Sequence, residues 1–319
     1  MARRYRILIA VLALALAAIA ALLVVYTGAE PISRAVWPQA SRERTLPPPV
    51  IPPAPEPTST PEPEPAPTPE PAPTPEPAPA PEPAPTPVPA KPADNKVRGW
   101  YYVANTTHAV PGVAPGAKEW LKSYNGRYVG RDPKRVYLTI DQGYENGNTP
   151  AILDALARNN VKATFFVTET YIRANPALVR RMADEGHVVG NHSSTHPTMP
   201  SLAGDAAKFK AEFTKTASAY SEITGTAMAM IFRPPKGEYS PLSLWMTQQL
   251  GYESIFWSFA HRDWIVDDQP PVDVTVKRIL TGSHPGAIYL LHGVSSSDTQ
   301  ALDAAIAGLR KQGYGFGTL

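Results

Sequence analysis

Strand-like and helix-like segments alternate through the C-terminal two-thirds of the chain, and the alternation predicts an α/β fold with parallel strands joined by crossover helices. About seven repeats suit a distorted (β/α) barrel, with an open doubly wound sheet as the alternative. Three observations carry the prediction. Short apolar runs rich in β-branched residues are bounded by turn residues; amphipathic stretches open at steps such as Thr149-Pro150 and Ser240-Pro241; and the apolar runs end in ionisable residues. A fold of this kind gathers its chemistry beyond the C-terminal ends of the strands.

Taken in order, the first strand is Val136 to Ile140, ending at Asp141, Gln142 and Gly143. Asp141 alone reads equally as a turn residue or a strand-end functional acid. A helix follows from Thr149 and Pro150, with Ile152, Leu153 and Leu156 on one face. Ala163 to Thr168 is the second strand; the helix after Asn175 and Pro176 carries Leu178, Val179 and Met182 and stops at Gly186. His187 to Asn191 is the third strand, followed by a helix over Ala206 to Ile223 and a strand over Ala229 to Phe232. Tyr252 to Ser258, Ala287 to Leu291 and the terminal GYGFGTL supply further strands, with helices over Val274 to Leu280 and Asp298 to Arg310. The aromatic, proline-broken opening RGWYYVANTTHAVPGVAP reads as a flap packed over the core, in which His108 is structural.

The first 96 residues have another character. Arg3, Arg4 and Arg6 form a basic flank (1–6) before the uncharged apolar run Ile7 to Tyr26. That run is long enough as a helix to cross a hydrocarbon core of about 30 Å, and its flank predicts a cytoplasmic N-terminus. It reads as a signal-anchor of the cell membrane, with secretion after cleavage near Thr27-Gly28-Ala29 as the alternative. A juxtamembrane segment (27–46) leads to a proline-rich linker (47–96). Of the 38 prolines, 23 lie between Pro47 and Pro92 in repeats such as PEPAPTPEPAP, which leave almost nothing apolar to bury. At about 3.1 Å per residue such a polyproline-type spacer reaches on the order of 140 Å. The globular part is then 97–319, the size of one domain. A net charge of +2 without a basic aromatic cluster gives no case for nucleic acid, and the absence of cysteine excludes disulfides and thiolate sites.

Asp141 ends the first strand, His192 and His196 follow the third, Arg233 ends the fourth, Asp263 and Trp264 follow the fifth, and His292 ends the next. Two histidines four apart can reach one divalent ion such as zinc. A carboxylate such as Asp141 can take a proton from water, and His292, whose ordinary pKa is near neutral, can give one to a departing amine. Arg233 suits the task of orienting Asp141, and Asp263 that of orienting an imidazole, His292.

The motifs TIDQGY (Thr139 to Tyr144), HSSTH (His192 to His196), RPPKG (Arg233 to Gly237), RDW (Arg262 to Trp264) and LLHGV (Leu290 to Val294) make the chain resemble the NodB-homology polysaccharide deacetylases, carbohydrate esterase family four. The GWYY opening, YENG, FWSFA and LLHGVSSSD resemble the delta-lactam-biosynthetic de-N-acetylases within it. The resemblance implies a distorted barrel that hydrolyses an N-acetyl group from an amino sugar, with Asp141 as base, His292 as acid, Arg233 ordering the base, Asp263 tuning the acid, and His192 and His196 as metal ligands. Its substrate would be N-acetylmuramic acid in a peptidoglycan strand lacking its stem peptide, coupled to a muramoyl-alanine amidase. An N-acetylglucosamine or chitin-type deacetylase, and an inactive glycan-binding module, are the alternatives. Where the wider family has an aspartate as third metal ligand this chain has Gln142, whose neutral amide oxygen would hold zinc weakly.

Overall fold

A computed structural model describes residues 89–319; the expected anchor (7–26), its flanks and most of the proline-rich linker lie outside these residues. Among the described residues no helix is long and apolar enough to cross a membrane. The strands are β1 (Arg98–Gly99), β2 (Tyr102–Val103), β3 (Gly112–Val113), β4 (Gly126–Arg127), β5 (Arg135–Gln142), β6 (Thr164–Val167), β7 (Val188–Asn191), β8 (Ile231–Phe232), β9 (Glu238–Tyr239), β10 (Glu253–Ile255), β11 (Phe259–Ala260), β12 (Ile288–His292) and β13 (Gly315–Phe316). The main sheet runs β11-β12-β5-β6-β7-β8-β10-β4, and β13 pairs with the start of β5. Every pairing in it is parallel.

The strand expected over Tyr252 to Ser258 is only β10, and β11 begins just after it. β10 and β11 are neighbours in sequence but stand near opposite ends of the strand order. Ser254 is in register with Phe232 on one side, while the Ser258 N–H donates to the Ile288 carbonyl at 3.0 Å on the other. This segment therefore bridges the gap and curls the sheet into a half-barrel. Composition does not reveal such a change of partner, because both halves are equally apolar.

The helices are α1 (Ala117–Ser123), α2 (Thr149–Arg158), α3 (Glu169–Ala174), α4 (Pro176–Asp184), α5 (Met199–Leu202), α6 (Ala206–Thr224), α7 (Pro241–Gln249), α8 (Val272–Thr281) and α9 (Ser296–Lys311). Their starts follow capping chemistry. The Thr168 hydroxyl accepts the Tyr171 N–H, Asp205 accepts the N–H groups of Ala207 and Lys208, and Ser240 and Ser243 cap α7 reciprocally.

Alternation along β5 decides what faces what. Val136, Leu138 and Ile140 join a core with Leu153 of α2 and Ile306 of α9, whereas Tyr137 packs with Phe166, Ile231, Ile255 and Ile288 inside the barrel. With a side-chain period of two, Thr139 and Asp141 share the inner face with Tyr137, and Gln142 returns to the helix side.

The opening segment packs on the domain. Trp100 is buried against Phe256, with ring centroids 4.4 Å apart, and its indole N–H donates to the Trp257 carbonyl at 2.9 Å. His108 ties the flap down through Nδ1, 2.7 Å from the Ser283 carbonyl. The end of the expected linker, residues 89–96, lies along α7: the Trp245 indole N–H donates to the Pro89 carbonyl at 2.9 Å and the Leu242 N–H to the Asp94 carbonyl at 3.0 Å. Backbone carbonyls make both contacts, so a proline-rich composition did not announce them.

Candidate active site

Asp141 is the last inward residue of β5, and β12 sets His292 beside it in register. Arg233, fully buried at the end of β8, donates from Nη1 to Asp141 Oδ1 at 2.7 Å. Burial alone would raise the Asp141 pKa, but the positive charge of Arg233, helped by His192 and His292, holds it below the usual carboxylate value. Asp141 is therefore an anion through the neutral range.

His192 leaves β7 with its Nδ1 2.8 Å from the Arg233 carbonyl. The carbonyl can only accept, so Nδ1 carries the proton and the Nε2 lone pair faces Asp141 Oδ2 at 3.5 Å. A left-handed turn brings up His196: Ser193 has φ 67° and His196 φ 59°, and the Ser193 hydroxyl accepts the His196 N–H at 2.9 Å. The two imidazole centroids are 4.9 Å apart. Burial pushes His192 down to about 4, Asp141 opposing and His196 assisting, so the ring is neutral at pH 7. Burial lowers His196 likewise. Neutral imidazoles are the form that ligates metal, and a lone pair facing a carboxylate oxygen is repulsive unless a cation or proton lies between them. The site fits a divalent cation held by His192 and His196.

Gln142 does not join them. Its Nε2 donates to Thr149 Oγ1 at 3.1 Å, and its buried Oε1 has no partner among the described residues. The side chain lies over Gly293, where an added Cβ would come within 2.2 Å of Oε1. Strand alternation thus overrides the expectation of Gln142 as a third ligand: two consecutive residues of a regular strand point to opposite faces.

His292 is held equally firmly. Asp263, fully buried, accepts from His292 Nδ1 at 2.7 Å through Oδ1 and from the His292 backbone N–H at 2.7 Å through Oδ2. Burial alone would lower the His292 pKa, yet the Asp263 charge and hydrogen bond, with Asp141, raise it above the ordinary value. In its protonated form His292, with Nδ1 committed to Asp263, can donate a proton from Nε2 as a general acid does. The signs of the two shifts define a pH profile: kcat falls on the alkaline side as His292 loses its proton, with an apparent pKa above about 6.5. Initial rates at constant ionic strength measure it, and an alkaline limb at or below that value would contradict the assignment.

Asp141, His192, His196 and His292 line a groove of about 670 Å³, with Tyr144, Lys236 and Trp264 around them. Trp264, 50 % exposed, stands edge-on to His292 with centroids 5.7 Å apart. Lys236 is held left-handed, φ 59°, beside two prolines. Reading the sequence by strand ends found Asp141, His192, His196, Arg233, Asp263 and His292, and passed over Lys236 in RPPKG. It also missed two buried groups behind Asp263, namely His261 and Asp298. Their only sequence signal is a place beside the motifs, in HRDW and VSSSD.

A carboxylate beside an imidazole in the lining of a groove suits hydrolysis by acid–base chemistry. Residues 129–255 match the family model described as polysaccharide deacetylase. The chain is 38% identical over 228 residues to the peptidoglycan-N-acetylmuramic acid deacetylase PdaA of Bacillus subtilis, covering 71% of this chain and 86% of that one. The solved structure of that protein, titled a family 4 carbohydrate esterase, superposes with a TM-score of 0.68 over 70% of this chain and 95% of its own. An uncharacterized 30.6 kDa protein of Geobacillus stearothermophilus is 43% identical over 69% of this chain and 83% of its own length. The peptidoglycan-N-acetylglucosamine deacetylase PgdA of Listeria monocytogenes is 32% identical over 69% of this chain and half of its own. This chain belongs to the polysaccharide deacetylase family, the family 4 carbohydrate esterases, as its five motifs lead one to expect.

Proposed function

We propose that the protein is a peptidoglycan deacetylase that removes the acetyl group from N-acetylmuramic acid. The observation that carries the reading is the placing of Asp141 and His292 side by side on neighbouring strands, held by Arg233 and Asp263, in the lining of one groove. Asp141 takes a proton from the attacking water as its oxygen bonds to the acetyl carbon. His292 gives its Nε2 proton to the nitrogen as the C–N bond breaks, leaving acetate and a free amine. A cation on His192 and His196, for which zinc suits the imidazole donors, supplies charge to polarise the reacting oxygens when bound.

The muramic preference is supported by the likeness to PdaA and by Lys236. N-acetylmuramic acid differs from N-acetylglucosamine in bearing a lactyl carboxylate next to the acetamido group, and Lys236 sets an exposed ammonium in the groove wall. Lys236→Gln is expected to lower kcat/KM about 10- to 100-fold on muramic substrates, the worth of a charge-assisted hydrogen bond, and to leave N-acetylglucosamine substrates unaffected. Equal losses on both would remove Lys236 from the specificity argument and favour the glucosamine reading that the PgdA likeness also supports.

The expected anchor and spacer complete the reading: a domain held at the cell membrane on a long tether and working within the wall, on strands that a muramoyl-alanine amidase has stripped. The direct experiment is to incubate the protein with peptidoglycan, with and without added divalent metal, and to map acetyl loss in the muropeptides by mass spectrometry. Absence of deacetylation in both arms would overturn the reading.

A further inference from the structure

Behind the acid pair lies a second pair that the reaction just described leaves unused. His261 Nε2 lies 2.9 Å from Asp298 Oδ1, and one ligand atom each of His261, Asp263 and Asp298 fall within 4.8 Å of one another. The side chains of His261 and Asp298 are 4% and 5% exposed, on the loop after β11 and on the first turn of α9. Beyond the cluster, neither nitrogen of His261 nor either carboxyl oxygen of Asp298 meets a hydrogen-bond partner among the described residues. Both oxygens of Asp263 are already committed to His292. Two buried carboxylates in contact cannot both ionise, and one proton between them is the physical solution.

We propose that Asp298 is a positioning residue for the acid pair: its carboxyl group, carrying one proton, donates to Asp263 and accepts from His261, so that Asp263 stays locked on His292. The donors that each carboxyl receives decide which of them holds the proton. Asp263 faces His292 and is kept ionised, burial notwithstanding, by that imidazolium and by hydrogen bonds from His292 and Asp298. Asp298 meets one donor, His261, where Asp263 meets two; burial, with Asp263 beside it, pushes it up to about 7 against the hydrogen bond and charge of His261. The other charged groups acting on the cluster are Asp141 of β5, on His292, and Arg278 of α8, on His261. Asp298 works through Asp263 and does not touch the reacting atoms.

The inference rests on the deacetylase reading for its kinetic test only, and an activity-free measurement stands beside it. Asp298→Leu removes the donated hydrogen bond and is expected to lower kcat at least about tenfold with little change in KM. Asp298→Asn supplies an amide donor toward Asp263 and an acceptor toward His261; it is expected to rescue most of that loss and to leave the alkaline limb of the pH profile in place. The His292 imidazole, followed by NMR titration in the full-length wild-type and Asn proteins, is expected to titrate above its ordinary value at the same pH in both. A shift of that titration to lower pH in the Asn protein would show Asp298 to be ionised and overturn the proposal. So would a Leu variant with unchanged kcat, or a stoichiometric divalent cation retained after both His192 and His196 are replaced by alanine. If wild-type protein deacetylates no glycan, the functional reading fails while the NMR titration still decides the state of Asp298.

Discussion

Asp141→Asn is expected to lower kcat by about 10²- to 10⁴-fold, the span that a positioned general base contributes. The amide matches the carboxylate in size and can still accept from Arg233 Nη1, so the groove keeps its shape while the group that takes the proton is lost. KM is expected to change little, because the interaction removed belongs to the transition state. Steady-state kinetics on a defined muropeptide measure both constants. Retention of more than a tenth of wild-type kcat would transfer the role of base elsewhere.

Replacing Arg233 by methionine is expected to cost about 3–5 kcal/mol of stability along with activity, as removal of one partner of a buried ion pair does. The residue is fully buried, its guanidinium lies 4.2 Å from the centre of the Phe166 ring, and its 2.7 Å bond to Asp141 is the chief compensation for that carboxylate's burial. Methionine fills much of the space but leaves Asp141 charged and unpaired. For a domain of this size the loss corresponds to a fall in Tm on the order of 10 °C. The pH dependence has a definite sign. Because the folded pKa of Asp141 lies below its unfolded value, the pair's contribution is full above about pH 4 and is lost as pH falls through the folded pKa. The gap between wild type and variant therefore narrows in acid. Denaturant unfolding at pH 7 and at progressively lower pH tests this, and a gap that widens in acid would refute the electrostatic origin.

Lowering the pH acts on the two halves of the site in opposite senses. His292 has a raised folded pKa, so the stability it draws from Asp263 is complete below about pH 6.5 and is lost as pH rises through the folded value. The contribution of Asp141 is thus lost toward acid and that of His292 toward alkaline pH.

Much of this was legible in the residues themselves. Periodicity and turn chemistry set the order of strands and helices, and α2, α6, α8 and α9 begin and end within a few residues of where capping and apolar spacing place them. The residues at the strand ends pointed to Asp141, Arg233, Asp263, His292 and the two histidines, which the fold brings together, because in a parallel sheet the strand ends open on one side and their polar residues converge there. Where the chain bends without changing composition, as between β10 and β11, no local signal existed.

The sequence by itself determined the alternating fold and the family, and it singled out six groups that the fold brings to one site, since each depends on residue type and spacing along the chain. Only the tertiary structure decided which way each side chain points and what distant segments share a buried space. It turned Gln142 toward Thr149 and away from the histidines, because the pleat reverses at every residue. It brought His261 and Asp298 together behind Asp263, because packing α9 against the sheet closes a space that no spacing along the chain encodes.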